Sequence, residues 1–254
     1  MKRVLILGGT TEARLLAVRL ADRADLRVTL SLAGRTASPA RQPVPVRSGG
    51  FGGAAGLADY LASERIDVLI DATHPYASVI SGNAVEAARR TGVPLLQFRR
   101  SPWETMPGDR WTEVGDMREA VQAIGEKPRR VFVAVGRNEL APFAKAPQHF
   151  YLIRSVDPVD PPLALPHAAY VTERGPFSEA DDRALMTEHR IEIVIAKNSG
   201  GVATYGKIAA ARALGVGVIM LRRPSAPVVQ SVENVEGALD WLDHALTSAP
   251  ARGV

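Results

Sequence analysis

Along the chain, short apolar runs alternate with stretches in which apolar positions recur every three or four residues. β-Rich runs of four to six residues predict strands at Val4–Leu7, Val28–Leu32, Val68–Asp71 and Leu95–Phe98, and the helical spacing predicts helices over 12–22, 56–64 and 78–91. After "RRSPWETMPGDRW", whose prolines and glycine favour a linker, the alternation resumes. Strands are predicted at Val131–Val135, Phe150–Ile153, Ile191–Ala196 and Val218–Leu221, and helices near 116–125, 178–189 and 203–214. Such alternation implies parallel sheets covered by helices. Val235, Leu239, Leu242 and Leu246 mark one more amphipathic helix, with Ser231 as its cap, and the tail beyond Thr247 reads as disordered.

The two halves echo each other. "RRVFVAVGRNEL" from Arg129 aligns with "KRVLILGGTTEA" from Lys2, matching Gly136 to Gly9 and Glu139 to Glu12. "RIEIVIAKNSGG" from Arg190 aligns with "RIDVLIDATHPYA" from Arg65, and "AAARALGVGVIMLRR" with "EAARRTGVPLLQFRR". Order and spacing agree, which implies duplication of an ancestral domain. The expected organisation is a first α/β domain over 1–100, a linker over 101–112, a second α/β domain over 113–247 and a tail over 248–254. Two Rossmann-like parallel-sheet domains of this kind bind ligands beyond the carboxyl ends of their strands, and a cleft between them is expected.

Composition narrows the chemistry. The 254 residues, 46% apolar, suffice for real cores. With no cysteine and five scattered histidines lacking an HxxxH-type pair, no thiolate chemistry and no metal site are expected. The opening "MKRVLILGG" has too short an apolar run for a signal peptide, and no run approaches membrane-spanning length, so a cytoplasmic protein is expected. The net charge is +4, but acids and bases are interspersed and no basic block marks a nucleic-acid surface.

Candidate chemistry lies in the loops after the strands. "GGTTEAR" joins the first strand to a helix, so Gly8, Gly9, Thr10, Thr11 and Glu12 form a turn suited to an anion at a helix amino end. It is not the GxGxxG fingerprint, because the third glycine is missing and Glu12 sits inside it. At the end of the second strand an NAD-preferring site would carry an acid, whereas this chain reads "TLSLAGRT". Arg35, with Ser31, Gly34 and Thr36, suits a 2'-phosphate, which favours NADP(H). In "DATHPYAS", Thr73 and His74 emerge from a buried strand, and His74 either orients a nicotinamide, donates a proton or is structural; Tyr76 reads as packing. The equivalent loop of the second half is "AKNSGG", where Lys197, Asn198, Ser199, Gly200 and Gly201 resemble an anion or carbonyl site. Lys207 reads as an ordinary helix lysine. "TERGPFSEADD" places Arg174 and Gly175 at another helix entry capped by Ser178.

Taken in order, "LGGTTEAR", "DATHPYA", "RGPF", "KNSGG" and "KIAAARALGVGVIMLRRP" resemble the precorrin-6A reductase family of cobalamin biosynthesis, over about residues 2–224. The resemblance implies an NADPH-dependent reduction of one macrocycle double bond, giving precorrin-6B. It further implies that the Gly8–Glu12 turn and the Ser31, Gly34, Arg35, Thr36 loop hold the dinucleotide, with Thr73 and His74 near its reactive ring. The "RGPF" and "KNSGG" loops then face the tetrapyrrole, with Arg137, Arg174 and Lys197 as carboxylate anchors. His74 and Lys197 are the candidate catalytic residues; Tyr76, Tyr205 and water are further proton sources. The implied partner is the small-molecule tetrapyrrole, together with contact to neighbouring pathway enzymes, without nucleic acid or membrane. "SEADD" departs from the family pattern, leaving an acidic role open between Asp181 and Asp182. A nucleotide-sugar transferase and a non-catalytic NADP(H)-binding module are the alternatives that twin α/β domains also suit.

Overall fold

The computed structural model describes residues 1–34, 41–225 and 227–248. Its elements in chain order begin β1 (Lys2–Leu7), α1 (Thr11–Leu20), β2 (Leu26–Leu32), β3 (Val46–Ser48), α2 (Gly53–Ser63), β4 (Val68–Asp71), α3 (Ser78–Thr91) and β5 (Leu95–Phe98). They continue with β6 (Trp111–Val114), α4 (Met117–Ile124), β7 (Arg130–Ala134), β8 (Phe150–Ser155), β9 (Ala168–Thr172), α5 (Glu179–Glu188), β10 (Ile193–Lys197), α6 (Gly206–Leu214), β11 (Gly217–Leu221), β12 (Ser231–Val232) and α7 (Val235–Ser248). Residues 137–139, 141–145 and 202–204 are short 3-10 turns.

Two compact units result. The first gathers Met1–Ser101 with the stretch from Pro224 onward; the second is Pro102–Arg223. Each contains a six-stranded sheet, ordered β12-β5-β4-β1-β2-β3 in the first and β6-β11-β10-β7-β8-β9 in the second. Every strand pair is parallel, as the continuous apolar runs of the central strands require. In the first unit Val4, Ile6, Val68, Ile70 and Leu96 pack with α1 and α7 on one face, while Leu5, Leu7 and Leu69 pack with α2 and α3 on the other. In the second, Phe132, Leu152, Val194, Ala196 and Met220 pack against Met186 of α5 and Ile208 and Ala211 of α6.

The sequence echo extends to atomic detail. Arg65 and Arg190, at matching repeat positions, both adopt φ 50°, a left-handed conformation uncommon outside glycine. The Arg3 amide donates to Asp67 Oδ2 at 2.8 Å, and the Arg130 amide to Glu192 Oε2 at 2.9 Å. The two guanidinium groups donate to the matching carbonyls of Glu64 and His189.

The structure divides the chain differently from the sequence expectation. Part of the expected linker forms β6, the edge strand of the second sheet, and α7 packs on the first unit, not the second. There Ala238 and Leu242 are fully buried beside Leu16 and Leu20, and Arg19 and Arg23 pair with Glu236 and Asp243 at 2.9 Å. Ser231, expected as a helix cap, is in β12. The four edge strands β3, β6, β9 and β12 escape the pattern because each has one neighbour and is only partly buried; β3, β6 and β12 carry no continuous apolar run, and that of β9 is half-exposed. Residues 249–254 of the expected tail lie outside the described residues.

His149, fully buried before β8, gives this scaffold a pH dependence. Its Nδ1 accepts the Arg129 amide at 3.2 Å, and burial, aided by the Arg129 charge, holds its pKa below the ordinary histidine value. Because the folded state binds this proton less readily than the unfolded chain, stability is complete above the unfolded histidine pKa and falls as pH drops below it. The expected result is a Tm that declines on acidification from pH about 7.5 to about 5.5, with a smaller decline in His149→Gln. An identical pH profile for the two proteins would refute this assignment.

Candidate functional site

In the first unit the carboxyl tips of β1, β2 and β4 bring the predicted cofactor residues together. Gly8 donates its amide to the Ser31 carbonyl at 2.9 Å. A Cβ on Gly8 would lie 2.6 Å from Leu30 Cδ1 and 3.3 Å from Ala13 Cβ, so a larger residue would require Leu30 to shift. Gly9 has φ +113° with open space around its Cβ position, which leaves that side of the turn accessible. Thr10 is the N-cap of α1: its hydroxyl oxygen accepts from the Ala13 amide at 3.1 Å and donates to the Ala72 carbonyl at 2.7 Å. That second bond ties the turn to the tip of β4. Thr11 opens α1, and Glu12 forms a largely buried ion pair with Arg100 just beyond β5. The pair offsets the negative charge that Glu12 brings to the amino end of α1.

The β2 tip adds Ser31, buried and within 3.4 Å of Arg47 Nη1, and Gly34 at φ +70°. Arg35 and Thr36 lie outside the described residues. Arg47, in β3, is a residue that sequence reasoning missed. It donates to the carbonyls of Gly49 and Gly50 at 2.5 and 2.7 Å and sits 3.7 Å from the centroid of the Phe51 ring, shaping the loop beside Ser31. Its signal was present, an arginine immediately before a glycine-rich "SGGFGG", but its short edge strand hid it. At the β4 tip, buried Asp71 accepts from the Thr73 amide at 3.1 Å and from the Thr73 hydroxyl at 2.6 Å. His74 Nδ1 accepts from the Tyr76 amide at 3.3 Å, and Arg99 braces the turn through the Pro75 carbonyl at 3.0 Å.

In the second unit the loops after β7, β8 and β10 form a separate polar cluster. Lys197, with its side chain 15% exposed, ends β10 and lies 2.5 Å from Glu139 Oε2, off the line of a hydrogen bond. Arg137 and Arg174 are both exposed, and Arg137 stands 4.0 Å from Asp157. Asn198 spans the backbone of Trp103, accepting from its amide at 2.7 Å and donating to its carbonyl at 2.9 Å. Ser199 Oγ is 3.2 Å from Thr204 Oγ1, and Arg223 donates to the Asn198 and Ser199 carbonyls at 2.7 and 2.9 Å. Gly200, at φ +73°, and Gly201 complete the turn. Gly175 packs on Phe177, whose amide donates to the Ala203 carbonyl at 3.0 Å, so the "RGPF" and "KNSGG" loops are joined.

The two aspartates of "SEADD" differ in burial. Asp181 exchanges hydrogen bonds with Ser178 at the cap of α5, while Asp182 is fully buried and paired with Arg154 at 2.5 Å. The Tyr205 hydroxyl accepts from Arg212 at 2.5 Å. Lys207, expected as an ordinary helix lysine, is 4% exposed, and burial pushes its pKa down to about 7. The helical period places it on the inner face of α6, but the charge masked that. Among the described residues, no group of histidines, aspartates and glutamates is arranged to hold a metal, and no helix is long and apolar enough to cross a membrane.

Parallel sheets with a capped glycine turn at one set of strand tips and a lysine-bearing glycine loop at the other define a class, the twin-unit Rossmann-like α/β proteins. The family described as Precorrin-6x reductase CbiJ/CobK matches residues 3–243, and the chain belongs to that family. It is 55% identical over 247 residues to a precorrin-6A reductase of a Sinorhizobium species, covering 97% of this chain and 95% of that one. It is 49% identical over 248 residues to the precorrin-6A reductase of Rhodobacter capsulatus, covering 97% and 98%. A solved structure, that of the CobK precorrin-6A reductase, superposes with TM-score 0.93 at 48% identity over the full length of both chains. Membership in a reductase family sets aside the transferase and non-catalytic alternatives.

Proposed function

We propose that the chain reduces one double bond of the precorrin-6A macrocycle to give precorrin-6B in cobalamin biosynthesis, with NADPH as the reductant. The observation that carries the reading is the Gly8–Glu12 turn, in which Thr10 joins the β1 turn to the β4 tip and Gly9 leaves one side open. These residues fit a dinucleotide: Gly8 lets the backbone pack closely, and the amino end of α1 favours a diphosphate. When bound, NADPH supplies the hydride. Ser31 and Gly34 border the adenosine end, and Arg35 and Thr36, outside the described residues, are assigned the 2'-phosphate. Thr73, fixed by Asp71, and His74 serve the nicotinamide end.

The second unit takes the substrate. Lys197, Arg137 and Arg174 meet its peripheral carboxylates, while Ser199, Gly200, Gly201 and Gly175 shape the loops around it. Asn198 acts from within, by fixing Trp103. His74 and Lys197 are the proton-transfer candidates that remain consistent with these placements. The family match over residues 3–243 and the precorrin-6A reductases among the relatives support this reading.

Anaerobic incubation with NADPH and precorrin-6A tests it. Loss of reduced-nicotinamide absorbance that depends on the tetrapyrrole is expected, and no loss refutes the proposal. Arg35→Ala is expected to raise the KM for NADPH by about 10-fold or more, in line with losing a charge-assisted phosphate contact, and to leave the KM for NADH nearly unchanged. Equal changes for both cofactors would remove the 2'-phosphate assignment.

A further inference from the structure

The second unit buries three charged side chains where the first, built on the same plan, uses apolar or small ones. Counting from Arg65 and Arg190, Asp182 matches Leu57, and both are 0% exposed. Counting from Gly92 and Gly215, which end α3 and α6, Lys207 matches Ala84, itself 0% exposed. The strand register matches Arg154 to Ser31. The scaffold is therefore completed in the first unit without these charges. Buried ion pairs are often no more stabilising than apolar side chains of similar volume, so folding alone does not explain them.

Their contacts converge on one turn. The Lys207 ammonium donates to the Thr204 carbonyl at 2.5 Å and lies 5.0 Å from the centroid of the Trp103 ring. Trp103 is the residue whose backbone Asn198 holds, so the segment 198–204 is gripped at one end through Trp103 and at the other through Lys207. Asp182 Oδ1 accepts from the Arg154 guanidinium at 2.5 Å, and Oδ2 accepts no hydrogen bond among the described residues. Arg154 lies 3.7 Å from the Phe177 ring centroid, which connects the pair to the "RGPF" loop. A Cβ on Gly206 would come within 2.7 Å of the Phe177 and Ser178 carbonyl oxygens, so that loop packs directly over the start of α6.

The geometry points to Lys207 as a positioning residue, which holds the glycine-rich turn after β10 in its substrate-ready shape. The proposal rests on the reading of that turn as substrate-binding. Burial and the neighbouring Arg154 charge lower the Lys207 pKa to about 7, with Asp182 opposing them. Preorganising a loop in this way reduces the ordering cost of each binding event.

Two variants of the full-length protein test the idea. Lys207→Met removes the donor alone. The triple variant Arg154→Met/Asp182→Leu/Lys207→Met replaces the cluster with apolar groups, as the first unit does, and so leaves no unpaired charge to unfold the protein. Both are expected to keep the KM for NADPH, to raise the KM for precorrin-6A about 10-fold with kcat little changed, and to speed amide exchange at 199–205 about 10-fold without substrate. Unchanged exchange in that segment, a wild-type KM for precorrin-6A in the triple variant, or a fall in kcat alone would each overturn the proposal. If the wild-type protein does not turn over precorrin-6A, the functional reading fails, while the exchange measurement still decides whether Lys207 holds the turn.

Discussion

Arg154→Met, by itself, is expected to destabilise the second unit by about 3–5 kcal/mol, because it leaves a buried carboxylate without its ionic partner. Asp182 is fully buried, its carboxylate accepts one hydrogen bond among the described residues, from Arg154 at 2.5 Å, and its second oxygen accepts none. The methionine retains much of the packing volume but neither the charge nor the guanidinium face against Phe177 and Phe132. Urea unfolding followed by tryptophan fluorescence reads the effect, since Trp103 and Trp111 lie in the second unit and Trp241 in the first. Adding Asp182→Leu is expected to recover most of the loss by removing the stranded charge. A loss below about 1 kcal/mol would place the pair with exposed ion pairs and remove its structural role.

Lys197→Ala is expected to lower kcat/KM for precorrin-6A by about 10- to 100-fold, the scale of one lost hydrogen bond to a charged group, while the KM for NADPH stays within experimental scatter. Lys197 ends a central strand, so its backbone is fixed, and only Glu139 among the described acids faces it at ion-pair distance. If Lys197 anchors the substrate as proposed, a substrate carboxylate competes with Glu139 for the ammonium. Glu139→Gln is therefore expected to lower the KM for precorrin-6A, the opposite sign. If Lys197→Ala raises KM with kcat intact, the lysine anchors; if kcat and kcat/KM fall together, it acts in the transition state. An unchanged kcat/KM removes Lys197 from the site.

The central strands and most helices were legible because a strand buried on both faces writes a continuous apolar run and a helix covering it writes a 3.6-residue period. The duplication was legible too: Arg65 and Arg190 keep the same backbone conformation because the same short sequence turns into the same strand. The edge strands were not, and with them went the domain assignment of 102–112 and of α7. A two-residue pairing such as Ser231–Val232 with Gln97–Phe98 is decided by a partner more than 130 residues away, and nothing local encodes it.

The site divides the same way. Gly8, Gly9 and Thr10 were readable as a turn because glycine and a capping threonine have conformational meaning in any context. Asn198 was readable as polar and loop-borne, but its engagement by the Trp103 backbone depends on a segment from elsewhere in the chain. Lys207 and Asp182 were misread or left open, since a charged residue in a helix is ordinarily solvated and only packing reveals burial.

By itself, then, the sequence determined the alternating α/β plan, its repetition, the anion-suited turn at the first strand and the family resemblance, all of which rest on local conformational preference and residue order. Only the tertiary structure decided which edge strand completes which sheet, where α7 packs, and that Arg154, Asp182 and Lys207 are all buried in the second unit. Those outcomes depend on burial and on contacts between distant segments, whose energies no local pattern records.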